Sequence, residues 1–399
     1  MFLFLFLAEP TVSLAEDPLP PEISARSYIV IDQLTGEVLL EKDADLQLPM
    51  ASTTKIMTAL LALEMGDLND IVEVSANASR TTGSRAYLDA GERHTLEDLL
   101  YAMLIYSAND AAVAIAEHIG GTEENFVRLM NERASQLGLH NTHFANPHGL
   151  TAEGHYSTSS DLAKLARVAM LWDRFRQIVV TERYTLPWPA RNSVRELYNI
   201  NDLIYRYEGA TGIKTGYTSA AGQCIVASAR RGETEVIVVI LNAQHGKLFE
   251  EAAKLLDYGF TLYEDRVLQS GEELVTDLPD SFMEGIEVVA AGQVTARLPV
   301  TIDEDEIEKV TFWNEPPKPP IERGRRLGNM QIRIHGATIA EVPLVTRQSV
   351  DVEPRGRSAY LWVIIPVLAL YIPWRIRLSA NRRRRRMAIL VRQRQESLP

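Results

Sequence analysis

The sequence predicts an α/β fold in which one antiparallel sheet carries helices on both faces, followed by a small C-terminal β-rich domain and a C-terminal membrane segment. Three observations support this prediction. Strand-like segments flank a largely helical middle in the first two thirds of the chain, which fits a single sheet covered by helices. Short β-rich segments between proline and glycine turns come next. An uncharged apolar run then precedes a basic C-terminus.

The first predicted domain, residues 22–264, opens with a hairpin whose strands are 27–31 and 37–40. Apolar residues then recur at helical spacing from Ser52 to about Leu171. The chain returns to strands after this helical stretch, at 213–217, 223–229 and 235–241. These three strands complete the predicted sheet.

The second predicted domain, residues 266–345, consists of short strands between turns, and we recognise no catalytic constellation in it. The strands are expected at 271–275, 286–290, 309–313 and 330–334. The proline-rich run 316–320 is predicted to form a loop, and 346–358 a linker. Because the domain precedes the apolar run, we expect it to space an active site from the membrane.

Residues 1–15 are predicted to form a signal segment. The apolar run 2–8 resembles the hydrophobic part of a secretory signal, and Ser13-Leu-Ala15 fits a small-x-small cleavage pattern. We therefore expect the two domains to lie outside the cytoplasm.

The segment 359–374 is uncharged and is predicted to cross the cell membrane once. Its sixteen residues rise about 24 Å as a helix, short of a hydrocarbon core of roughly 30 Å, and arginine snorkelling with local thinning closes that gap. The tail, residues 375–399, holds nine arginines and one glutamate, so the positive-inside rule places it in the cytoplasm. The alternative is an anchor on the membrane surface.

Charge and cysteine usage exclude several function classes. The 399-residue chain has a net charge of −12, and since the tail alone is +8, the remainder carries −20. Such an acidic body argues against a nucleic-acid partner. The one cysteine, Cys224, allows no internal disulfide and is expected to be a buried, inert thiol. We recognise no metal-ligand cluster and expect no cofactor.

A candidate nucleophile stands at the start of the helical stretch, in Ser52-Thr-Thr-Lys55. A serine hydroxyl needs a neighbouring base to take its proton. Lys55 lies three residues on and so projects from the same helix face as Ser52. Burial and nearby positive charge, such as that of Lys214, would lower the Lys55 pKa enough for it to act as the base. Taken alone, the motif is more typical of an ordinary helix N-cap with an exposed lysine.

Two further motifs follow in order along the chain. Ser107-Ala-Asn109 falls at a helix-to-helix junction, where Ser107 can relay a proton to a leaving amine and Asn109 can hold a substrate amide. In Lys214-Thr215-Gly216, the glycine lets the backbone approach closely, and Lys214 with Thr215 can bind a substrate carboxylate. Each motif by itself is also typical of ordinary structure, a capping turn and an edge-strand lysine.

The ordered trio resembles that of penicillin-binding proteins and serine β-lactamases. From about residue 27 to residue 262, the chain is similar to the D-alanyl-D-alanine carboxypeptidases, or low-molecular-mass penicillin-binding proteins. The runs that carry the resemblance are Ala51-Ser-Thr-Thr-Lys-Ile-Met-Thr-Ala59, Leu100-Tyr-Ala-Met-Leu-Ile-Tyr-Ser-Ala-Asn-Asp-Ala111, Asn146-Pro-His-Gly-Leu150 and Gly212-Ile-Lys-Thr-Gly-Tyr-Thr218. The implied fold is β-lactamase/DD-peptidase-like.

The resemblance also implies an activity and a role for each motif. The activity is removal of the terminal D-alanine from peptidoglycan stem pentapeptides, with β-lactam antibiotics as covalent inhibitors. Ser52 is implied as the acylated nucleophile and Lys55 as its general base. The second catalytic element and the substrate-binding strand are implied at Ser107 and Asn109, and at Lys214, Thr215 and Gly216.

One position departs from the pattern of the family. An arginine that helps bind the terminal carboxylate usually stands just before the helix that ends in a Leu-Leu-x-Tyr-Gly-Phe-like run, and here Leu248 occupies that position. The adjacent Lys247 is a candidate substitute, although a lysine lacks the planar fork of arginine.

His148 is expected to structure its loop, since Lys55 already provides a base.

Three alternatives to a carboxypeptidase remain. A β-lactamase would share the trio, but we find no Glu-x-x-Leu-Asn-type deacylating segment in the corresponding loop. A transpeptidase or endopeptidase would differ in the acceptor or in the bond that is cut. An inactive penicillin-fold scaffold is disfavoured by the intact nucleophile, base and Lys-Thr-Gly motif.

Overall fold

The computed structural model describes residues 19–282, 285–350 and 358–395, with the side chains of the last range given for 365–385. The predicted signal segment, residues 1–15, lies outside the described residues. The chain divides into two compact units. The first comprises the described residues up to Ser270 with Gln293–Val310 and Gln331–Glu341, and the second comprises the described residues of Gly271–Gly292, Thr311–Met330 and those from Val342 onward. The predicted domain ranges stay predictions.

Most helices of the first unit follow one another within residues 96–179 of the chain, and three strands of its central sheet come after them. The described strands are β1 (Ser27–Asp32), β2 (Val38–Lys42), β3 (Ile71–Glu73), β4 (Arg93–Thr95), β5 (Arg183–Trp188), β6 (Ser193–Tyr198), β7 (Ala210–Thr218), β8 (Gly222–Arg231), β9 (Thr234–Ala243), β10 (Tyr263–Gln269), β11 (Val288–Ala290), β12 (Val294–Pro299), β13 (Ile307–Trp313), β14 (Arg326–Ile334) and β15 (Ala337–Thr346). The described α-helices are α1 (Lys55–Met65), α2 (Ala76–Arg80), α3 (Leu96–Ile105), α4 (Asn109–Gly120), α5 (Glu123–Gln136), α6 (Ser159–Ala169), α7 (Asp173–Val179), α8 (Leu203–Arg206), α9 (Leu248–Thr261) and α10 (Ser358–Gln395). Short 3₁₀ helices occupy Ala51–Thr54, Pro189–Arg191 and Glu304–Glu306.

A five-stranded antiparallel sheet with the order β2-β1-β9-β8-β7 forms the centre of the first unit. Alternate residues of β9 enter two separate apolar clusters, because successive side chains of a strand point to opposite faces. One cluster includes α9, and the other includes α1, α3, α4 and α6. The residues on the α9 side are Val236, Val238 and Ile240, and those on the other side are Ile237, Val239 and Leu241. The predicted α/β architecture with an antiparallel sheet is thus confirmed.

The predicted strands of this sheet each match one in the structure, extended by one to four residues in most cases. The hairpin of β5 and β6 was not predicted, since its prolines and charged residues hide the alternation that marks a strand. Later in the chain, a four-stranded sheet has the order β11-β15-β14-β13. The strand predicted at 271–275 is reduced to one isolated bridge, between Leu274 and Val289.

The last helix, α10, contains Pro366 and Pro373. Its residues from 365 to 385 are all exposed. Within the part of the chain that the structure describes, no helix is both long enough and apolar enough to cross a membrane.

Candidate active site

Ser52 lies in the 3₁₀ turn Ala51–Thr54 that runs directly into α1, so the predicted position at a helix start is confirmed. Two glycines from other elements pack against this turn. A Cβ atom on Gly216 of β7 would stand 2.8 Å from Ser52 N. A Cβ atom on Gly149, whose φ is +90°, would stand 1.9 Å from Ala51 O. The close approach of both segments to the serine therefore requires glycine at each position.

Lys55 is completely buried and lies beside the Ser52 hydroxyl. Its Nζ is 2.9 Å from Ser52 Oγ, 2.6 Å from Asn109 Oδ1 and 2.6 Å from the main-chain oxygen of His148. An ammonium group has three protons to donate, and these three acceptors match them. The structure thus brings together Ser52, Lys55 and Asn109 from two of the three sequence motifs.

The surroundings of Lys55 hold its pKa well below the ordinary value for lysine. Burial is the largest cause, because it disfavours the charged form, and the positive charge of Lys214 adds to the effect. The negative charge of Asp110 acts in the opposite direction. A lysine in this setting is neutral over a wider range of pH than an exposed one, and the neutral amine can accept a proton from Ser52. The predicted influence of Lys214 on Lys55 is confirmed.

Ser107 and Asn109 lie at the junction between α3 and α4, as the sequence predicts. Ser107 is buried, and its φ of +66° belongs to the left-handed region that few serines adopt. Asn109 is the first residue of α4. Its Nδ2 donates to Thr82 O at 2.7 Å, which leaves Oδ1 to accept from Lys55. The carboxamide is therefore held in one orientation.

The Lys-Thr-Gly motif lies on β7, which is an edge strand of the central sheet. Lys214 is buried, with 1% of its surface exposed, and its Nζ donates to Thr215 O at 2.9 Å. Burial lowers the pKa of Lys214 to about 7. Thr215 is also buried, and Gly216 brings the strand against the Ser52 turn. The motif thus places a cationic side chain on the strand that borders the nucleophile.

Lys247 makes no recorded contact with this cluster in the described structure. Its Nζ lies 3.1 Å from Glu250 Oε2, and the other oxygen of Glu250 holds Lys254 at 2.7 Å. Leu248, at the position where the family usually has arginine, is 4% exposed and packs in the apolar cluster of α9. A carboxylate-binding role for Lys247 stays a prediction.

The sequence analysis missed two contributions from the loop after α5. The main-chain oxygen of His148 accepts from Lys55, and Gly149 packs against the Ser52 turn. The His148 side chain serves the loop, since its Nδ1 accepts from Leu150 N at 3.2 Å. Burial and the charges of Lys55 and His155 lower the pKa of His148 to about 3, so the ring is neutral. The run Asn146-Pro-His-Gly-Leu150 was the signal for this loop, although a main-chain acceptor leaves no side-chain signature.

One group of side chains among the described residues has the donor atoms of a metal site. Glu37, Glu306 and His335 each present a ligand atom, and these atoms lie within 4.8 Å of one another. His335 Nε2 is 2.9 Å from Glu306 Oε1, a direct contact between an imidazole and a carboxylate. The group includes none of the residues of the Ser52 cluster.

Comparison with known proteins places the chain among peptidases. A family model described as D-alanyl-D-alanine carboxypeptidase matches residues 14–245. The D-alanyl-D-alanine carboxypeptidase DacF of Bacillus subtilis is 34% identical over 84% of this chain and 88% of its own length. The corresponding DacC of Escherichia coli is 33% identical over 87% of this chain and 90% of its own length.

Solved structures of similar proteins share the fold. The D-alanyl-D-alanine carboxypeptidase DacD of Francisella tularensis has a TM-score of 0.62 and 27% identity, and the match covers 86% of this chain and 97% of that one. The Streptomyces K15 DD-transpeptidase has a TM-score of 0.59 and 35% identity, covering 61% of this chain and 100% of that one.

Proposed function

The chain belongs to the D-alanyl-D-alanine carboxypeptidase family, and from this premise we propose that Ser52 is the nucleophile of a serine-type D-Ala-D-Ala carboxypeptidase. The observation that carries the proposal is the 2.9 Å contact between Ser52 Oγ and the Nζ of a buried lysine. A serine is activated by a base within hydrogen-bond reach, and the lowered pKa of Lys55 suits it to that task.

The reaction consists of acylation followed by hydrolysis. Ser52 Oγ attacks the carbonyl carbon of the penultimate D-alanine of a peptidoglycan stem peptide while its proton passes to Lys55 Nζ. The main-chain amides of Ser52 and of the residue after Gly216 stabilise the oxyanion. Ser107 relays a proton to the nitrogen of the terminal D-alanine, which leaves. Water then hydrolyses the ester on Ser52 and restores the free hydroxyl.

Lys214 and Thr215 bind the terminal carboxylate of the substrate in this proposal. The support is their position on β7, beside the nucleophile, and the burial that strengthens charge interactions there. A β-lactam antibiotic presents a carboxylate next to its strained amide, so the same groups orient it for attack. The product is then a penicilloyl ester on Ser52.

Release of D-alanine from a stem pentapeptide, followed by mass spectrometry, tests the proposal. The Ser52→Ala variant is expected to release none and to take no covalent label from a fluorescent penicillin. The matched control is Ser75→Ala, since Ser75 caps α2 and accepts from Ala78 N at 2.9 Å. We expect it to lose about 1 kcal/mol of stability and to keep its activity. Labelling of Ser52→Ala would refute the assignment of the nucleophile.

Transpeptidation is a second candidate, favoured by the likeness to the Streptomyces K15 DD-transpeptidase. The same mass-spectrometric experiment decides between the two when an amine such as glycine is added. An acyl-enzyme that reacts mainly with water yields the tetrapeptide, whereas one that reacts mainly with the amine yields a peptide extended by glycine.

We further propose that α10 attaches the enzyme to the cell membrane, with the catalytic unit on the extracytoplasmic side. The support is the uncharged run 359–374, the exposure of every α10 side chain from 365 to 385, and the arginines that follow the run. Apolar side chains that are exposed in the described structure are suited to lipid, and the arginines to its polar surface.

A further inference from the structure

Asp110 is a buried carboxylate that the proposed reaction does not use. It stands in the first turn of α4, directly after Asn109, and none of its surface is exposed. Its Oδ1 accepts from Ala86 N and its Oδ2 from Leu88 N, each at 3.0 Å. Oδ1 also accepts from Ala111 N at 3.0 Å. A carboxylate so far from water is tolerable because main-chain donors replace its hydration.

The two bonded amides flank Tyr87, in a segment, 82–88, that is neither helix nor strand. Tyr87 has a φ of +58°, which is unfavourable for a bulky side chain, and 60% of its surface is exposed. Arg195 Nη2 donates to the main-chain oxygen of Tyr87 at 2.7 Å. Asp110 therefore accepts from the main-chain amides on both sides of Tyr87, and Arg195 donates to the main-chain oxygen of Tyr87 itself.

The same segment fixes the side chain that faces Lys55. Asn109 Nδ2 donates to Thr82 O, and Asn109 N donates to Ser84 O, both at 2.7 Å. Together, Asn109 and Asp110 bind four main-chain groups of the segment. Since Nδ2 is held by Thr82, Oδ1 must point toward Lys55.

Asp110 also differs in charge from the other groups around Lys55. The titratable groups that act on or with Lys55 in the described structure are Lys214 on β7, His148 and His155 on the loop after α5, and Asp110 on α4. Burial keeps both imidazoles neutral near pH 7, with a pKa of about 3 for His148 and about 4 for His155. Asp110 is thus the negative charge that favours the ammonium form of Lys55.

We propose that Asp110 is a positioning residue of this active site, whose carboxylate fixes segment 82–88 against Asn109 and balances the charge of the buried Lys55. The inference rests on the proposed function, in which Lys55 takes a proton from Ser52 and later returns it. Without Asp110, the ammonium intermediate between these two transfers would keep its neutral acceptors, and the charge left acting on it would be that of Lys214, a like charge. Asp110 itself touches neither the substrate nor the reacting atoms.

The Asp110→Asn variant separates charge from shape, because an asparagine keeps one acceptor oxygen and loses the charge. Its Lys55 is expected to lose its proton at lower pH, so the acid limb of the pH profile for penicillin acylation moves down by about one unit. The matched control is Asp98→Asn. Asp98 also accepts from a main-chain amide, Thr95 N at 3.1 Å, but it belongs to the N-terminal turn of α3 and does not act on Lys55.

A structural role alone predicts a different result. In that case both variants lose stability and rate while the acid limb stays in place, and this outcome overturns the proposal. If Asp110→Asn does not fold, the comparison is made in a Tyr87→Gly background, since glycine adopts the left-handed conformation without strain. Failure of the proposed function is distinguishable, because Ser52→Ala would then still be labelled.

Discussion

At the scale of single residues, the site depends on two lysines that the fold keeps out of water. Lys55 and Lys214 are both buried, and burial lowers the pKa of each, with the positive charge of Lys214 lowering the pKa of Lys55 further. Their proposed tasks need opposite states, since Lys55 must be neutral to act as a base and Lys214 must be charged to bind a carboxylate. If these proposed tasks are correct, we expect the reaction to work in the pH range where Lys55 is neutral and Lys214 is charged.

The need for a charged Lys214 predicts how the reaction depends on pH. Because the pKa of Lys214 is about 7, kcat/KM for a peptide with a free terminal carboxylate is expected to fall above that pH as Lys214 loses its charge. The measurement is the pH profile of D-alanine release. In Lys214→Arg the guanidinium stays charged, so the alkaline limb should disappear even if the maximal rate is lower. An alkaline limb that is unchanged in this variant would argue against Lys214 as the carboxylate ligand.

The sequence was informative at this scale where function resides in side chains. The structure brings Ser52, Lys55 and Asn109 together as their motifs suggest, and it buries Lys214 on the neighbouring strand. The sequence was uninformative where a main-chain group contributes to the site. The acceptor at His148 is a carbonyl group, which every residue type has, so no residue choice announces it.

At the scale of elements, two segments from other parts of the chain pack closely against the turn that carries Ser52. The loop at Gly149 approaches from one side and β7 at Gly216 from the other. Because the first loop also supplies the His148 oxygen to Lys55, its distance from the turn sets the geometry of the base.

Gly149→Ala is expected to disturb both stability and chemistry. Its Cβ would meet Ala51 O at 1.9 Å, so the loop must move away from Ser52, and a shift of about 1 Å can slow a reaction about 100-fold. The matched control is Gly91→Ala, since Gly91 has a φ of +82° but nothing within 4 Å of a Cβ atom. Acylation by a fluorescent penicillin and thermal unfolding are measured for both. Equal acylation rates in the two variants would contradict this account of the loop.

Whether a strand could be predicted from the sequence depended on how clear its pattern of apolar residues is. The strands β1, β8 and β9 were predictable because they are apolar runs bounded by turn residues. The hairpin β5–β6 was not, because Pro187 and several charged side chains interrupt its pattern. A tertiary ion pair holds the hairpin in place. Arg195 of β6 is buried, and its Nη2 lies 2.7 Å from Oε1 of Glu92, a partner about one hundred residues away in sequence.

At the scale of the whole molecule, the last helix, α10, differs from the helices of the first unit in the exposure of its side chains. The core of the first unit is closed on both faces of its sheet, whereas the described side chains of α10 are all exposed. The role of the run 359–374 was hard to predict from sequence, since a short apolar run fits a span or a surface anchor, and local pattern does not decide between them.

Removal of residues 359–399 is expected to yield a protein that stays in solution without detergent and keeps its rate of penicillin acylation, because the Ser52 cluster draws on elements before α10. Sedimentation with lipid vesicles is the measurement. A chain that lacks only the tail, residues 375–399, serves as the control and should still bind the vesicles. A shortened protein that continues to require detergent would refute a membrane role for 359–374.

The burial of two amines also has a thermodynamic consequence for the folded protein. The unfolded chain binds a proton at each lysine up to about pH 10, whereas the native state releases them at lower pH. The free energy of unfolding therefore rises between about pH 7 and pH 10 on account of Lys214, and the lowered pKa of Lys55 acts in the same direction. At neutral pH the burial of these amines opposes folding. An anion that binds the native state at Lys214 offsets this opposition. If Lys214 binds the carboxylate as proposed, we expect substrate or antibiotic to make the enzyme more resistant to heat and proteolysis while it is bound.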